Sequence, residues 1–171
     1  GLPRNELFIV SKVYPHNASV EGMRAACERS LRRLRLEHID LYLLHWRGAH
    51  PLAETVDAFE RLRRAGKIVR WGVSNFDVDD MQQLWQHTAG PRCAVNQVYY
   101  SASQRGIEFE LLPWQRERSV ATMAYCPIDQ GTLANHAGLA RIARRHGITA
   151  AQVALAWVLR HPDVIAIPKA A

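Results

Sequence analysis

The chain has no apolar run approaching the roughly 20 residues that a membrane-spanning helix requires, and no charged-then-apolar leader opens it. The expectation is a soluble, cytoplasmic protein with no membrane partner. Cysteine is scarce. Cys27, Cys93 and Cys126 are far apart, odd in number and free of CxxC or His-rich neighbours, which argues against both a disulfide framework and a zinc site. They are expected to be buried thiols. The marks of disorder are missing too, since 48% of the residues are hydrophobic and 22% charged, ordinary values for a globular protein. At 171 residues the chain is long enough for one domain, 1–171, with a sizeable core.

Positive charge is in excess, at +6. Clustered Lys and Arg are the usual footprint of nucleic-acid binding. Here Arg24, Arg29, Arg32, Arg33 and Arg35 interleave with Met23, Ala26, Cys27, Leu31 and Leu34. That is the 3.6-residue spacing of an amphipathic helix with a basic outer face. With no nucleic-acid motif in the chain, a nucleic-acid partner is not expected.

The most telling stretch is Ile39-Asp40-Leu41-Tyr42-Leu43-Leu44-His45-Trp46, a short apolar run ending in an imidazole and an indole. Its composition predicts a strand buried on both faces, because a half-solvated strand alternates polar and apolar residues. His45 then sits at the carboxyl edge, where parallel α/β sheets and barrels carry their active sites. A histidine that merely ends a core strand fits the run equally well. Other buried-strand runs are expected at 7–13, 68–76, 94–98, 119–125 and 164–167. Helices are expected at 20–36, 55–65, 77–87, 107–118 (broken by Pro113), 139–146 and 149–160. Gly66 is the expected stop of the second, and Thr149-Ala150-Ala151-Gln152 reads as a capping box. Strand alternating with helix is the cadence of βα units, which build a parallel sheet or a (β/α) barrel.

Several strand ends carry polar residues. Lys12 is costly to bury, so it either snorkels to solvent or meets a carboxylate and has a task. Ser74 and Asn75 can cap the following helix or bind a ligand amide. Gln97 repeats the theme on the next strand, and Tyr125 ends another in an aromatic ring.

Taken together, the His45 strand, the run Gly66-Lys67-Ile68-Val69-Arg70-Trp71-Gly72-Val73-Ser74-Asn75-Phe76, Asn96-Gln97-Val98, Ala124-Tyr125-Cys126-Pro127 and Ile167-Pro168-Lys169 resemble the aldo-keto reductase family in order and spacing. The resemblance covers essentially the whole chain. It implies a (β/α)8 TIM barrel, here strands 3 to 8, and NADP(H)-dependent reduction of small aldehydes or ketones to alcohols without a metal. Lys12 matches the family's catalytic lysine, which lowers the pKa of a proton-donating tyrosine. His45 matches the active-site histidine that orients and polarises the carbonyl. Ser74, Asn75 and Gln97 match the residues that hold the nicotinamide carboxamide, and Tyr125 the aromatic stacked on that ring. Lys169 matches a basic residue near the adenosine phosphates, where charge favours NADP over NAD. Trp46 either lines the substrate pocket or packs beneath it.

The chain departs from the family in several respects, and the expectation is that the first two βα units and the C-terminal substrate segment are not represented in it. Eleven residues precede Lys12, and none is Tyr or Asp, so the family's proton donor and the aspartate paired with the lysine have no match. Tyr14 falls in a loop position and is not expected to substitute. Six strands are too few for the eight-stranded barrel, and an open barrel exposes two edges. The expectation is therefore a reductase represented by part of its length, with this chain alone nearly inactive. The alternative is a noncatalytic NADP-binding scaffold or fragment. Substrate identity and oligomeric state are not legible.

Overall fold

Among the described residues, six β-strands are ordered in the sheet as they are in the chain: β1 (Val10–Val13), β2 (Ile39–Leu44), β3 (Ile68–Ser74), β4 (Val95–Tyr99), β5 (Ala121–Tyr125) and β6 (Val164–Ile167), with β1, β2 and β3 parallel to one another and β5 parallel to β6. The computed structural model describes residues 2–169. Helices fill the connections: α1 (Val20–Leu34), α2 (Leu52–Arg64), α3 (Val78–Trp85), α4 (Leu111–Glu117), α5 (Ala137–His146) and α6 (Ala150–Val158). This is the α/β fold that the strand–helix alternation predicts. The chain's contacts group it into two compact units, one running through Asn96 and the other from Gln97 on.

In the first unit, β2 is buried along its whole length except at the partly exposed Asp40, as its continuous apolar run requires. It pairs with β1 through Lys12 opposite Leu43 and Val13 opposite Leu44, and with β3 through Leu43 opposite Gly72 and Leu44 opposite Val73. β1 is shorter than the buried run expected over 7–13. Residues 4–6 form a 3-10 turn, Phe8 and Val10 are exposed, and the backbone amide of Ile9 donates to the Asp40 carboxylate at 2.7 Å. That acid also takes an ion pair from Arg4 at 2.8 Å, so polar contacts displace the ladder there. Helix α1 stops at Leu34, two residues short of the expected end, because Arg35 adopts a left-handed conformation (φ 55°). Its Arg24 reaches Glu21 and Glu28 on the outer face, the solvated role that the periodicity implied. Gly66 follows α2 with φ 68°, the left-handed stop expected of it. Gly72 is fixed by space instead: a Cβ would lie 2.4 Å from the Val95 carbonyl oxygen.

Glu60 on α2 anchors this unit's helix layer. Its carboxylate is buried and accepts from the Trp71 indole at 2.9 Å, Arg63 at 2.9 Å and Arg92 at 2.7 Å. Burial pushes the Glu60 carboxyl up, but the bonds from Arg63, Trp71 and Arg92 outweigh it and hold it down at about 2. A carboxyl lowered on folding stabilises the folded state above its unfolded pKa and loses that contribution as pH falls through the folded value. In denaturant titrations from the ordinary 4.5 down to about 2, stability is thus expected to fall less steeply in Glu60→Gln than in the wild type. Parallel pH profiles for the two proteins would remove this role.

In the second unit, β5 pairs with β6 from Thr122 opposite Val164 to Tyr125 opposite Ile167. Pro113 does not break a helix. It is the third residue of α4, where an amide has no intrahelical acceptor to lose. The capping box at Thr149 and Gln152 opens α6 as predicted. Cys27 and Cys93 are buried, whereas Cys126, in the turn after β5, is only half-buried. Among the described residues, no helix is long and apolar enough to cross a membrane, and no group of three or more His, Cys, Asp or Glu is placed to hold a metal.

Candidate active site

The register of β1, β2 and β3 settles which side chains share a face. Lys12 lies opposite Leu43, and Leu43 opposite Gly72. With a period of two, Lys12, His45 and Ser74 project to one side, while Tyr42 and Trp71 project to the other. The second set packs on α2, where the Phe59 ring stacks on Trp71 at 5.1 Å and meets Tyr42 edge-on. The first set is therefore the inner one, gathered at the carboxyl ends of its strands.

His45 is held by its backbone. Its amide donates to the Val13 carbonyl at 3.0 Å, extending the ladder one residue past β2, and its carbonyl accepts from Asn75 Nδ2 at 3.1 Å. Burial lowers the imidazole pKa, and the charge of Lys12 lowers it further; both favour the neutral ring, which donates through one nitrogen and accepts through the other. Burial also lowers the pKa of Lys12, which is half-buried and makes no ion pair among the described residues.

Ser74 is 1% exposed and Asn75 is exposed, and neither caps the next helix. That task falls to Asp77, whose side chain accepts from the Asp80 amide at 2.8 Å. Asn75 sits in the left-handed region (φ 58°), which asparagine tolerates better than most residues. The turn is pinned from β4: Asn96, fully buried, donates to the Phe76 carbonyl at 2.9 Å and accepts from the Phe76 amide. Asn96 was not singled out from sequence, although a buried amide beside Gln97 on one strand was the available signal.

Tyr14 was weighed from sequence only as a substitute proton donor and not expected to serve, and its place beside His45 was not foreseen. Its ring stacks on His45 at 5.2 Å and on His16 at 5.7 Å, and meets Trp46 edge-on at 5.5 Å. Strand parity was the clue, since Tyr14 lies two residues beyond Lys12. Trp46 is 43% exposed, contacts His45 at 4.7 Å between ring centres, and lines a cavity of about 460 Å³ with Pro15, His16, Ala49 and His50. It is a surface wall beside His45 rather than packing beneath it.

The second unit carries the remaining predicted residues. Gln97 is 2% exposed, and its Nε2 lies 2.7 Å from the Met123 sulfur. Tyr125 closes β5, and burial raises its pKa. It lines a cavity of about 690 Å³ together with Cys126, Pro127, Ile128, Gln130, Gly131, Ile167, Pro168 and Lys169. Tyr125 and Lys169, 44 positions apart in sequence, thus border one space, because β5 and β6 are neighbours in register. That volume is typical of a ligand site, and the lining offers a flat ring, a loop of backbone amides and one cation.

Residues 2–170 match the sequence profile described as the Aldo/keto reductase family. The chain is 53% identical to methylglyoxal reductase YeaE of Escherichia coli strain K12, over 98% of this chain and 61% of that protein. It is 40% identical to glyoxal reductase of Bacillus subtilis strain 168, over 99% of this chain and 60% of that protein. A crystal structure of an aldo/keto reductase from Klebsiella pneumoniae in complex with NADP and acetate superposes with a TM-score of 0.95 at 53% identity, covering 98% of this chain and 61% of that one. The chain spans about three-fifths of the length of the curated relatives it matches.

Proposed function

This chain belongs to the aldo/keto reductase family, and from that premise we propose that the protein reduces small carbonyl compounds to alcohols with NADPH. The names of the similar proteins, a methylglyoxal and a glyoxal reductase, put α-dicarbonyls first among the substrates to try. The observation that carries the reading is the placement of Lys12 and His45 on one inner face at the ends of neighbouring parallel strands.

The cofactor suits the residues present. The cavity bordered by the Tyr125 ring, the 126–131 loop and Lys169 matches a flat aromatic ring at one end and phosphate charge at the other. When bound, NADPH supplies the hydride. In the second unit Tyr125 would stack on the nicotinamide, Gln97 would hold its carboxamide and Lys169 would pair with phosphate, and the family resemblance gives Ser74 and Asn75 the carboxamide as well. His45 donates a hydrogen bond to the carbonyl oxygen and stabilises the charge that develops there. Lys12 lowers the pKa of the proton donor, which the family resemblance assigns to a tyrosine without a match in these 171 residues. Trp46 forms a wall of the substrate pocket.

The test is loss of nicotinamide absorbance when the full-length protein is mixed with NADPH and methylglyoxal. Turnover is expected, and replacing His45 by Gln is expected to lower kcat about 10²-fold or more, the cost of losing one aimed donor. NADPH binding without turnover on any aldehyde or ketone would instead favour a noncatalytic scaffold. For the 171-residue polypeptide alone, the absence of the general acid is expected to cost about 10²–10⁴ in rate.

A further inference from the structure

We propose that Tyr99 is a positioning residue for cofactor binding, acting through Asp129 to hold the loop after β5 in its binding conformation; this rests on the cofactor reading above. Three observations from the second unit meet here. First, the loop is conformationally costly. Cys126 (φ 51°), Asp129 (φ 52°) and Gln130 (φ 52°) are left-handed without being glycine, and Gly131 (φ 98°) follows them. Such residues persist only where surrounding contacts over-determine them.

Second, the lining of the 690 Å³ cavity includes Ile128, Gln130 and Gly131 but skips Asp129. The acid points elsewhere, with both carboxylate oxygens engaged. Oδ1 accepts from the Tyr99 hydroxyl, and Oδ2 accepts from Ser103 Oγ at 2.9 Å. A carboxylate turned toward the cavity would repel a phosphate, so tying it back removes a like charge as well as fixing the backbone. Third, the Tyr99 ring stacks on Tyr125 at 5.3 Å with 26° between planes. One side chain at the end of β4 thus supports both the ring that faces the nicotinamide and the loop that faces the phosphates. The hydrogen bond to Asp129 pushes the phenol pKa up to about 12, so Tyr99 stays a protonated donor across the working range.

Tyr99→Phe keeps the stacking ring and deletes the donor. In the full-length protein it is expected to raise the Kd for NADPH about tenfold, the loss of one hydrogen bond to a charged acceptor. At saturating NADPH, kcat is expected to stay within about twofold, since no group at the carbonyl changes. Asp129→Asn, which keeps an acceptor oxygen for Tyr99, is expected to show a smaller rise, about threefold. Ser103→Ala, on an exposed residue, should move the Kd in the same direction, and it decides the matter if Tyr99→Phe does not fold. A merely structural Tyr99 would lower Tm in Tyr99→Phe and leave the Kd unchanged, which would overturn the inference. Failure of the wild type to bind NADPH would overturn the functional reading instead.

Discussion

Replacing Lys12 by Met in the full-length protein is expected to lower kcat for carbonyl reduction by about 10²–10⁴-fold, the range that a positioned proton-transfer group supplies. Lys12 sits near the end of β1, half-buried, on the face that also carries His45. Its removal leaves a methionine of similar length in the same slot, so packing is preserved and charge alone is lost. Affinity for NADPH is expected to stay within about threefold, because the cofactor-sized cavity is lined by residues of β5, β6 and the loop after β5. A second readout needs no substrate. The Lys12 charge helps lower the His45 pKa, so Lys12→Met should move the imidazole titration upward, as seen by NMR of the ring protons. Unchanged kcat would place the proton chemistry elsewhere, and an unmoved imidazole would mean that the two groups are not electrostatically coupled.

Replacing Trp71 by Ala is expected to cost about 3–5 kcal/mol of folding stability, the usual loss for a buried tryptophan. A domain has only about 5–15 kcal/mol to lose, so the variant should lie at the edge of folding. Trp71 is 1% exposed, stacks nearly flat on Phe59 (6° between planes), and its indole donates to the buried Glu60. The alanine variant therefore opens a cavity and takes one donor from a carboxylate that cannot turn to water. Trp71→Phe separates the two effects. It keeps a stacking ring and loses the donor, with an expected cost of about 1–3 kcal/mol beyond the smaller volume. Urea unfolding at constant m-value measures both. If Trp71→Phe matches the wild type, the indole–Glu60 bond contributes nothing net.

The candidate residues were legible as strand-end positions because those signals are local. A strand that loses its alternation and ends in His45 marks burial and a carboxyl edge at once. The motifs at Ser74-Asn75, Asn96-Gln97 and Tyr125 each lie within a few residues of a strand end, so the strand–helix alternation was enough to place them. Whether Ser74 and Asn75 cap α3 was open in the sequence, because Ser, Asn and Asp are all good N-caps and all precede the helix. The structure gives the cap to Asp77 and leaves the other two at the strand end. β1 was read too long for a related reason: Leu7 and Phe8 look like core by composition, but Asp40, distant in sequence, takes the Ile9 amide.

Sequence by itself determined the α/β class, the family, and the strand ends that carry the candidate residues, since each depends on periodicity or on residues a few positions apart. Tertiary structure decided the rest: that Lys12 and His45 share a face, that Tyr14 stacks on His45, that Tyr125 and Lys169 border one cavity, and that Tyr99 reaches Asp129. Each of these joins residues that meet through strand register or through a loop folding back on itself. Alternation along one strand says which of its residues share a face, but which residue of the next strand stands opposite is fixed only when the strands pack together.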